Sequence, residues 1–311
     1  MQTSHVFITR RLAVDPASVL GPGLSVDQYD GEVLPRDELL RRAHAATGLL
    51  ATLVDRVDDE LLDAAPRLRI VANHAVGTDN IDVAACTRRG IWVTNTPGVL
   101  TESTADLTWA LILAVTRRVR EGDRLVREGR FRGWTPTMLL GLELRGATLG
   151  IFGYGRIGQA VARRAEGFGM RVLWSSRSGG VELDELLASS DVLSIHAPLT
   201  PATRHAIGPA QLLGMKRGAY LVNTSRGPVV DEAALVRALE LGHLAGAGLD
   251  VYEDEPRVHP GLLGRDDVVL LPHLGSATQA TRANMANIAL TEIERVLRGE
   301  RPLHPVNEPA L

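Results

Sequence analysis

Gly153, Gly155 and Gly158 follow an apolar run, Leu149 to Phe152, and open a helical stripe of Ile157, Ala160, Val161, Ala165 and Phe168. In that setting a G-x-G-x-x-G spacing is a dinucleotide site. The first glycine makes the tight turn, the second leaves the backbone open to a pyrophosphate, and the third lets the helix close on the strand. The helix N-terminus adds unpaired N–H groups and a positive dipole end. A second strand beginning near Arg171 completes a βαβ unit over Thr148 to Arg177. A glycine-rich turn without a ligand is the plain alternative; strand, helix and unit length together favour the cofactor.

The end of that second strand bears on which cofactor. NAD-type units place an Asp or Glu there, about 20 residues after the glycines, for the ribose 2′-hydroxyl. Here Ser176 takes the acidic position, followed by Arg177 and Ser178. A carboxylate would repel a 2′-phosphate, whereas serine and arginine bind and neutralise it, so NADPH is expected over NADH, with NADH still possible.

Three further polar residues fall where strands are expected to end: Arg226 in LVNTSRG, Glu255 in LDVYEDEP and His273 in VVLLPHLGSAT. Ligands of open parallel sheets bind at the carboxyl ends of strands, so the three can converge beside the cofactor. Each has a plainer reading: a turn arginine, a solvated acid in an acidic loop, a satisfied core histidine.

The elements that must position these groups alternate. Strands are expected at Val6–Thr9, Leu24–Tyr29, Gly48–Thr52, Leu68–Ala72 and Trp92–Thr94, with helices near 36–44, 58–65 and 82–89. Pro97 and Gly98 suit a domain crossing, and a helix follows with Thr101 or Ser103 as its N-cap. Arg120 to Leu142 reads as irregular. Strands at Val192–His196, Ala219–Thr224, Gly246–Val251 and Val268–Leu271 resume the alternation, with helices at Asp231–Leu241 and Thr278–Arg298. The expected fold is α/β, with two Rossmann-like domains built on doubly wound parallel sheets. Residues 100–281 form the dinucleotide-binding Rossmann domain, inserted into a flavodoxin-like domain made of 1–99 and 282–311.

Composition removes other classes. The 311 residues carry a net charge of −3 with acids and bases interleaved, which gives no footprint for nucleic acid. The longest apolar helical run, Leu107 to Val115, is far short of the roughly 20 residues of a membrane span. MQTSHVFITR lacks a signal pattern, and the single cysteine, Cys86, permits no internal disulfide, which favours a cytoplasmic setting. Cys86 reads as a small core residue.

The order NHAVGTDNID, GYGRIGQ, VNTSRGPVVDEAAL, AGAGLDVYEDEP and LLPHLGSAT resembles the D-isomer-specific 2-hydroxyacid dehydrogenases, and within them the glyoxylate/hydroxypyruvate reductases. The resemblance runs over nearly the whole chain, to LRGERPLHPVN. It implies an active site in the interdomain cleft and reduction of a small 2-oxoacid: glyoxylate to glycolate, hydroxypyruvate to D-glycerate. It also implies that Arg226 binds the substrate carboxylate and polarises the keto oxygen, a task suited to a planar guanidinium. His273 is then the proton donor and Glu255 its carboxylate partner, expected to raise the histidine pKa, with Glu253 as the nearby competitor.

By the same resemblance Val76 and Gly77 hold the substrate carboxylate through backbone N–H groups. Leu53 and His74 line the pocket, and Trp134 reaches a neighbouring subunit's site in a homodimer built on residues 102–142. Tyr154, Arg156 and Ile157 lie along the pyrophosphate. Thr104, His196, Pro198, Thr203, Thr224, Asp250 and Gly275 match positions near the cofactor, with Asp250 free to accept from the carboxamide and His196 equally readable as a loop histidine. No metal is implied. A larger 2-oxoacid as substrate, or a non-catalytic NAD(P)-sensing protein on the same scaffold, are the alternatives.

Overall fold

The computed structural model describes residues 4–309; residues 1–3 and 310–311, the outer ends of the expected first domain, lie outside the described residues. The chain divides into two compact units, one made of the residues up to Leu100 together with those from Ala277 onward, the other running Thr101–Ser276.

The first unit is a parallel sheet of β1 (Ser4–Ile8), β2 (Leu24–Gln28), β3 (Gly48–Ala51), β4 (Ile70–Asn73) and β5 (Trp92–Thr94), in the order β2-β1-β3-β4-β5. Its central strands GLLA and IVAN are buried at every residue, as an unbroken apolar run between two helical layers requires. One face packs on Leu39, Leu61, Leu62 and Cys86, the other on Leu290, Ile293 and Val296 of the C-terminal helix Gln279–Leu297. Gly48 permits that helix to lie close, since a Cβ there would meet Ile293 Cγ2 at 2.8 Å. Thr278 caps the helix, its hydroxyl accepting from Thr281 N at 3.1 Å.

The second unit carries β6 (Thr148–Phe152), β7 (Arg171–Ser176), β8 (Gly179–Gly180), β9 (Val192–Ile195), β10 (Tyr220–Asn223), β11 (Gly246–Leu249) and β12 (Val268–Leu270). They stand in the order β12-β11-β10-β9-β6-β7-β8, all parallel except β8, which folds back on β7. The chain runs outward from β6 to β8, then returns to β9 on β6's other side. The carboxyl ends of β6 and β9 therefore flank the topological switch point where doubly wound sheets bind ligands.

Two expectations about elements need correction. Thr101 is the first residue of helix Thr101–Thr116 and Ser103 lies inside its first turn, so neither is an N-cap. The left-handed Gly98 (φ 85°) turns the chain early enough for the helix to begin there. The stretch from Arg120 is also not all irregular, because Val119–Arg127 is a helix. Gly122 in its middle hides it from a propensity reading. Side chains hold it: Asp123 pairs with Arg127, Arg124 with Asp266, and Arg120 donates to Val268 O at 3.0 Å. Residues 128–147 have no helix or strand.

Candidate functional site

The three glycines after β6 differ in why they are glycine. Gly153 has φ 97°, and a Cβ on it would lie 2.4 Å from Ala197 N. A Cβ on Gly158 would lie 2.3 Å from Gly153 O, so the helix Arg156–Ala165 can close on the turn only without one. At Gly155 a Cβ would meet nothing within 4 Å. The space is open at the one position where a phosphate must approach, and no side chain caps the helix N-terminus beside it. A cradle of bare N–H groups at a positive dipole end fits a pyrophosphate.

One wall of this turn is Tyr154, stacked on Trp174 of β7 with ring centroids 4.5 Å apart. Ser176 ends β7, and its hydroxyl lies 2.8 Å from Ser178 Oγ and accepts from Ser178 N at 3.2 Å. That small turn leaves Arg177 exposed. His196 donates its backbone N–H to Phe152 O at 2.7 Å, and its Nε2 meets Ser194 Oγ at 2.8 Å. Its Nδ1 is buried with no partner among the described residues, and burial pushes its pKa down to about 3. His196 is thus a neutral ring packed at the switch point. Pro198 and Thr203 belong to the next turn, where Thr203 Oγ1 donates to Pro198 O at 2.6 Å.

Arg226, Glu255 and His273 come from the loops after β10, β11 and β12. Asn223, buried at the end of β10, builds the first loop by accepting from Ser225 N (3.0 Å) and Ser225 Oγ (2.9 Å) and donating to Arg226 O (3.0 Å). Arg226 is extended at this corner and its Nη1 donates to Ser225 O at 2.8 Å. Gly227 lets the loop lie against the next one, since a Cβ would overlap Tyr252 O at 1.8 Å.

In that next loop Glu255 accepts from Tyr252 N at 3.1 Å through Oε1, and its Oε2 lies 3.0 Å from His273 Nδ1. Burial of Glu255 opposes ionisation. The bond and charge of His273, the Tyr252 N–H and the charge of Arg226 outweigh it, so the carboxyl titrates below its ordinary range. Glu253 is committed elsewhere, to His205 Nε2 at 2.6 Å and Glu232 N at 3.2 Å.

His273 is left-handed (φ 55°) and is held from behind. Its N–H donates to Asp250 O at 2.9 Å, while the buried Asp250 carboxylate accepts from Leu274 N (2.6 Å) and Gly275 N (2.8 Å). Burial, above all, raises the Asp250 pKa against the pull of those bonds. Thr104 Oγ1 donates to Gly275 O at 3.1 Å, and Thr108 meets Thr224 hydroxyl to hydroxyl at 2.9 Å. Asp250 and Thr104 therefore brace the His273–Gly275 segment from behind, while Thr224 is tied to Thr108 of the same helix as Thr104. Asn223, Gly227 and Thr108 went unread in the sequence, though an Asn at a strand end two residues before a Ser is an Asx-turn signal.

In the first unit Val76 and Gly77 lie in the loop after β4. Asn95 Nδ2 donates to Val76 O and Asn73 Nδ2 to Gly77 O, each at 2.7 Å. His74 Nε2 faces Arg282 O at 3.3 Å, and burial lowers its pKa. Leu53 sits in the turn after β3, half-buried. Trp134, in the second unit, is 79 % exposed within residues 128–147. Among the described residues no group of His, Cys, Asp or Glu could hold a metal ion, and no helix is long and apolar enough to cross a membrane.

Residues 109–275 match the family described as D-isomer specific 2-hydroxyacid dehydrogenase, NAD binding domain. The chain is 46% identical to a glyoxylate reductase of Thermococcus litoralis, over 98% of this chain and 97% of that one. A solved protein of Thermus thermophilus is similar at 48% identity and a TM-score of 0.93, covering 97% of this chain and 100% of that one. An NADPH-dependent glyoxylate/hydroxypyruvate reductase of Sinorhizobium meliloti, solved with NADP and malonate, is similar at 34% identity and a TM-score of 0.85, covering 100% of both chains. With a nucleotide turn, a carboxylate-paired histidine and this kinship, the chain belongs to the D-isomer specific 2-hydroxyacid dehydrogenases and is an oxidoreductase that uses a nicotinamide cofactor.

Proposed function

We propose that the enzyme reduces glyoxylate to glycolate, and hydroxypyruvate to D-glycerate, with NADPH preferred over NADH. The observation that carries this reading is the Glu255–His273 pair, 3.0 Å apart across the loops after β11 and β12, the first of which lies against the loop of Arg226. The nicotinamide, when bound, supplies hydride to the keto carbon. His273 has Nδ1 turned to Glu255, which leaves Nε2 to give the proton to the keto oxygen. An ionised Glu255 orients the ring and offsets the positive charge it carries before transfer. Arg226 holds the substrate carboxylate and stabilises charge on the oxygen. Val76 and Gly77 offer main-chain N–H groups to a substrate carboxylate, with Leu53 and His74 shaping the pocket.

On the cofactor side, the N–H groups of the glycine turn take the pyrophosphate, and Ser176, Arg177 and Ser178 the 2′-phosphate. The malonate- and NADP-bound relative supports a small carboxylate and a phosphorylated cofactor. The working form in this proposal is a cytoplasmic homodimer. Val119, Val126, Phe131, Trp134 and Leu140 crowd an exposed apolar surface into one short stretch, which supports it as the subunit contact. Sedimentation of the wild type tests the dimer, and a monomer at working concentration rejects it. The activity is tested with a panel of glyoxylate, hydroxypyruvate, pyruvate and phenylpyruvate against both cofactors. Glyoxylate and hydroxypyruvate with NADPH should give the highest kcat/KM. A clear preference for phenylpyruvate moves the enzyme to larger 2-oxoacids, and no turnover with any moves it to cofactor sensing.

A further inference from the structure

Three successive carbonyls of the loop after β4 are each tied by a hydrogen bond. Thr96 N donates to Ala75 O at 3.0 Å, Asn95 Nδ2 to Val76 O at 2.7 Å and Asn73 Nδ2 to Gly77 O at 2.7 Å. Asn73 is fully buried and is itself fixed by Asn80 Oδ1 at 3.1 Å, while Asn80 Nδ2 donates to Thr52 O (3.0 Å) and Asp55 O (3.1 Å). A carbonyl can only accept, so the NH₂ ends of all three amides are assigned by their partners. Among the described residues no hydrogen bond takes up the N–H of Val76 or Gly77.

These peptides are trans, since among the described residues the only cis bond precedes Pro256. In a trans peptide the C=O and N–H point in opposite directions. Pinning Ala75 O therefore aims the Val76 N–H the other way, and pinning Val76 O does the same for the Gly77 N–H. Glycine is the residue whose peptide flips most readily. A flip at Val76–Gly77 would turn a carbonyl oxygen toward a bound anion and replace attraction by repulsion.

We infer that Asn95 and Asn73 are positioning residues for the substrate carboxylate, holding the peptides on either side of Gly77 so that the Gly77 N–H is turned away from Asn95. This rests on the proposed carboxylate role of Val76 and Gly77. It adds that two neutral amides, rather than a charge, set what this loop contributes to substrate affinity. Asn95 is the main lock, because its acceptor belongs to the same peptide as the Gly77 N–H; Asn73 holds the far side of Gly77.

The experiment is Asn95→Ala, with KM for glyoxylate, KM for NADPH, the inhibition constant of oxalate and turnover of the carboxylate-free aldehyde glycolaldehyde. KM for glyoxylate and the oxalate constant should both rise roughly 10- to 100-fold, the range lost with one hydrogen bond to a charged group. KM for NADPH and kcat/KM for glycolaldehyde should stay within about twofold of wild type. Equal losses on glyoxylate and glycolaldehyde, or an unchanged oxalate constant, overturn the inference. Should Asn95→Ala fail to fold, the wild type still decides: the ¹⁵N amide resonance of Gly77 should shift on titration with oxalate, and a stationary resonance rejects the site. A wild type that binds oxalate at Gly77 yet reduces no 2-oxoacid refutes the proposed activity while leaving the carboxylate lock standing.

Discussion

The loop after β4 and the loops after β10, β11 and β12 both stand at the carboxyl ends of a parallel sheet, yet they offer a ligand different chemistry. In the first, the neutral amides of Asn73 and Asn95 hold main-chain carbonyls, and the proposed ligand donors are main-chain N–H groups. The second presents a guanidinium, a carboxylate and an imidazole, with Glu255 and His273 hydrogen-bonded to each other. Main-chain donors do not titrate, so distortion weakens the first region and pH does not. The second should respond to pH, because its function depends on where charge and protons reside. Substitutions on each side can break this contrast or sharpen it.

The largest effect is expected at His273. Removing a general acid forfeits roughly 10²–10⁴ in rate, so His273→Ala should lose that much kcat on glyoxylate while KM for NADPH holds. Stopped-flow oxidation of NADPH measures it. A variant with kcat near wild type would remove the proton role and leave His273 as a brace for its own loop.

Glu255→Gln separates charge from shape. Glutamine keeps an acceptor for His273 but not the negative charge, and a change of one pKa unit in the pair is a factor of about ten in its protonation equilibrium. A loss of kcat at neutral pH on the order of tenfold is expected. Stability gives an independent reading. The folded-state pKa of Glu255 lies below its ordinary value, so the ionised group adds stability above the unfolded value of about 4.3 and loses it as pH falls through the folded value. The Tm gap between wild type and Glu255→Gln should thus be widest near neutrality and close on acidification. A gap that widens toward acid would mean that burial, which opposes ionisation, outweighs the His273 bond.

How much of this was legible in the sequence follows the same divide. Arg226, Glu255 and His273 were readable because charged groups at strand ends are few and the glycine spacing places a cofactor beside those ends. Two braces leave no local signal. The Asp250 carboxylate accepts from Leu274 N and Gly275 N, a role set by a loop 24 residues away and additional to the cofactor contact expected of it. Asn95 carried no signal, because an asparagine before Thr-Pro reads as turn chemistry and its acceptor, Val76 O, is 19 residues back. Glu253 and Glu255 are equivalent by type; resemblance favours Glu255, and the structure separates them by pairing Glu255 with His273 and Glu253 with His205. Residue type and spacing reveal what chemistry is present; long-range hydrogen bonds to main-chain atoms decide where it points, and a main-chain acceptor leaves no mark on sequence.

The smallest effect lies outside both regions and tests whether the nucleotide turn is as independent of them as the contrast requires. Arg177 is exposed after β7, in a turn that Ser176 and Ser178 close by hydrogen bonds to each other. An exposed ion pair contributes only about 0.2–1 kcal/mol, and a hydrogen bond to a charged group about 1.5–3 kcal/mol. Arg177→Ala should therefore raise KM for NADPH by roughly tenfold, since 1.4 kcal/mol is one factor of ten. KM for NADH, which has no 2′-phosphate, should hardly move, and kcat with saturating NADPH should be preserved because no reacting atom is touched. Equal changes for both cofactors would place Arg177 at the shared pyrophosphate or make it a solvated charge, and the preference would then rest on the serines alone.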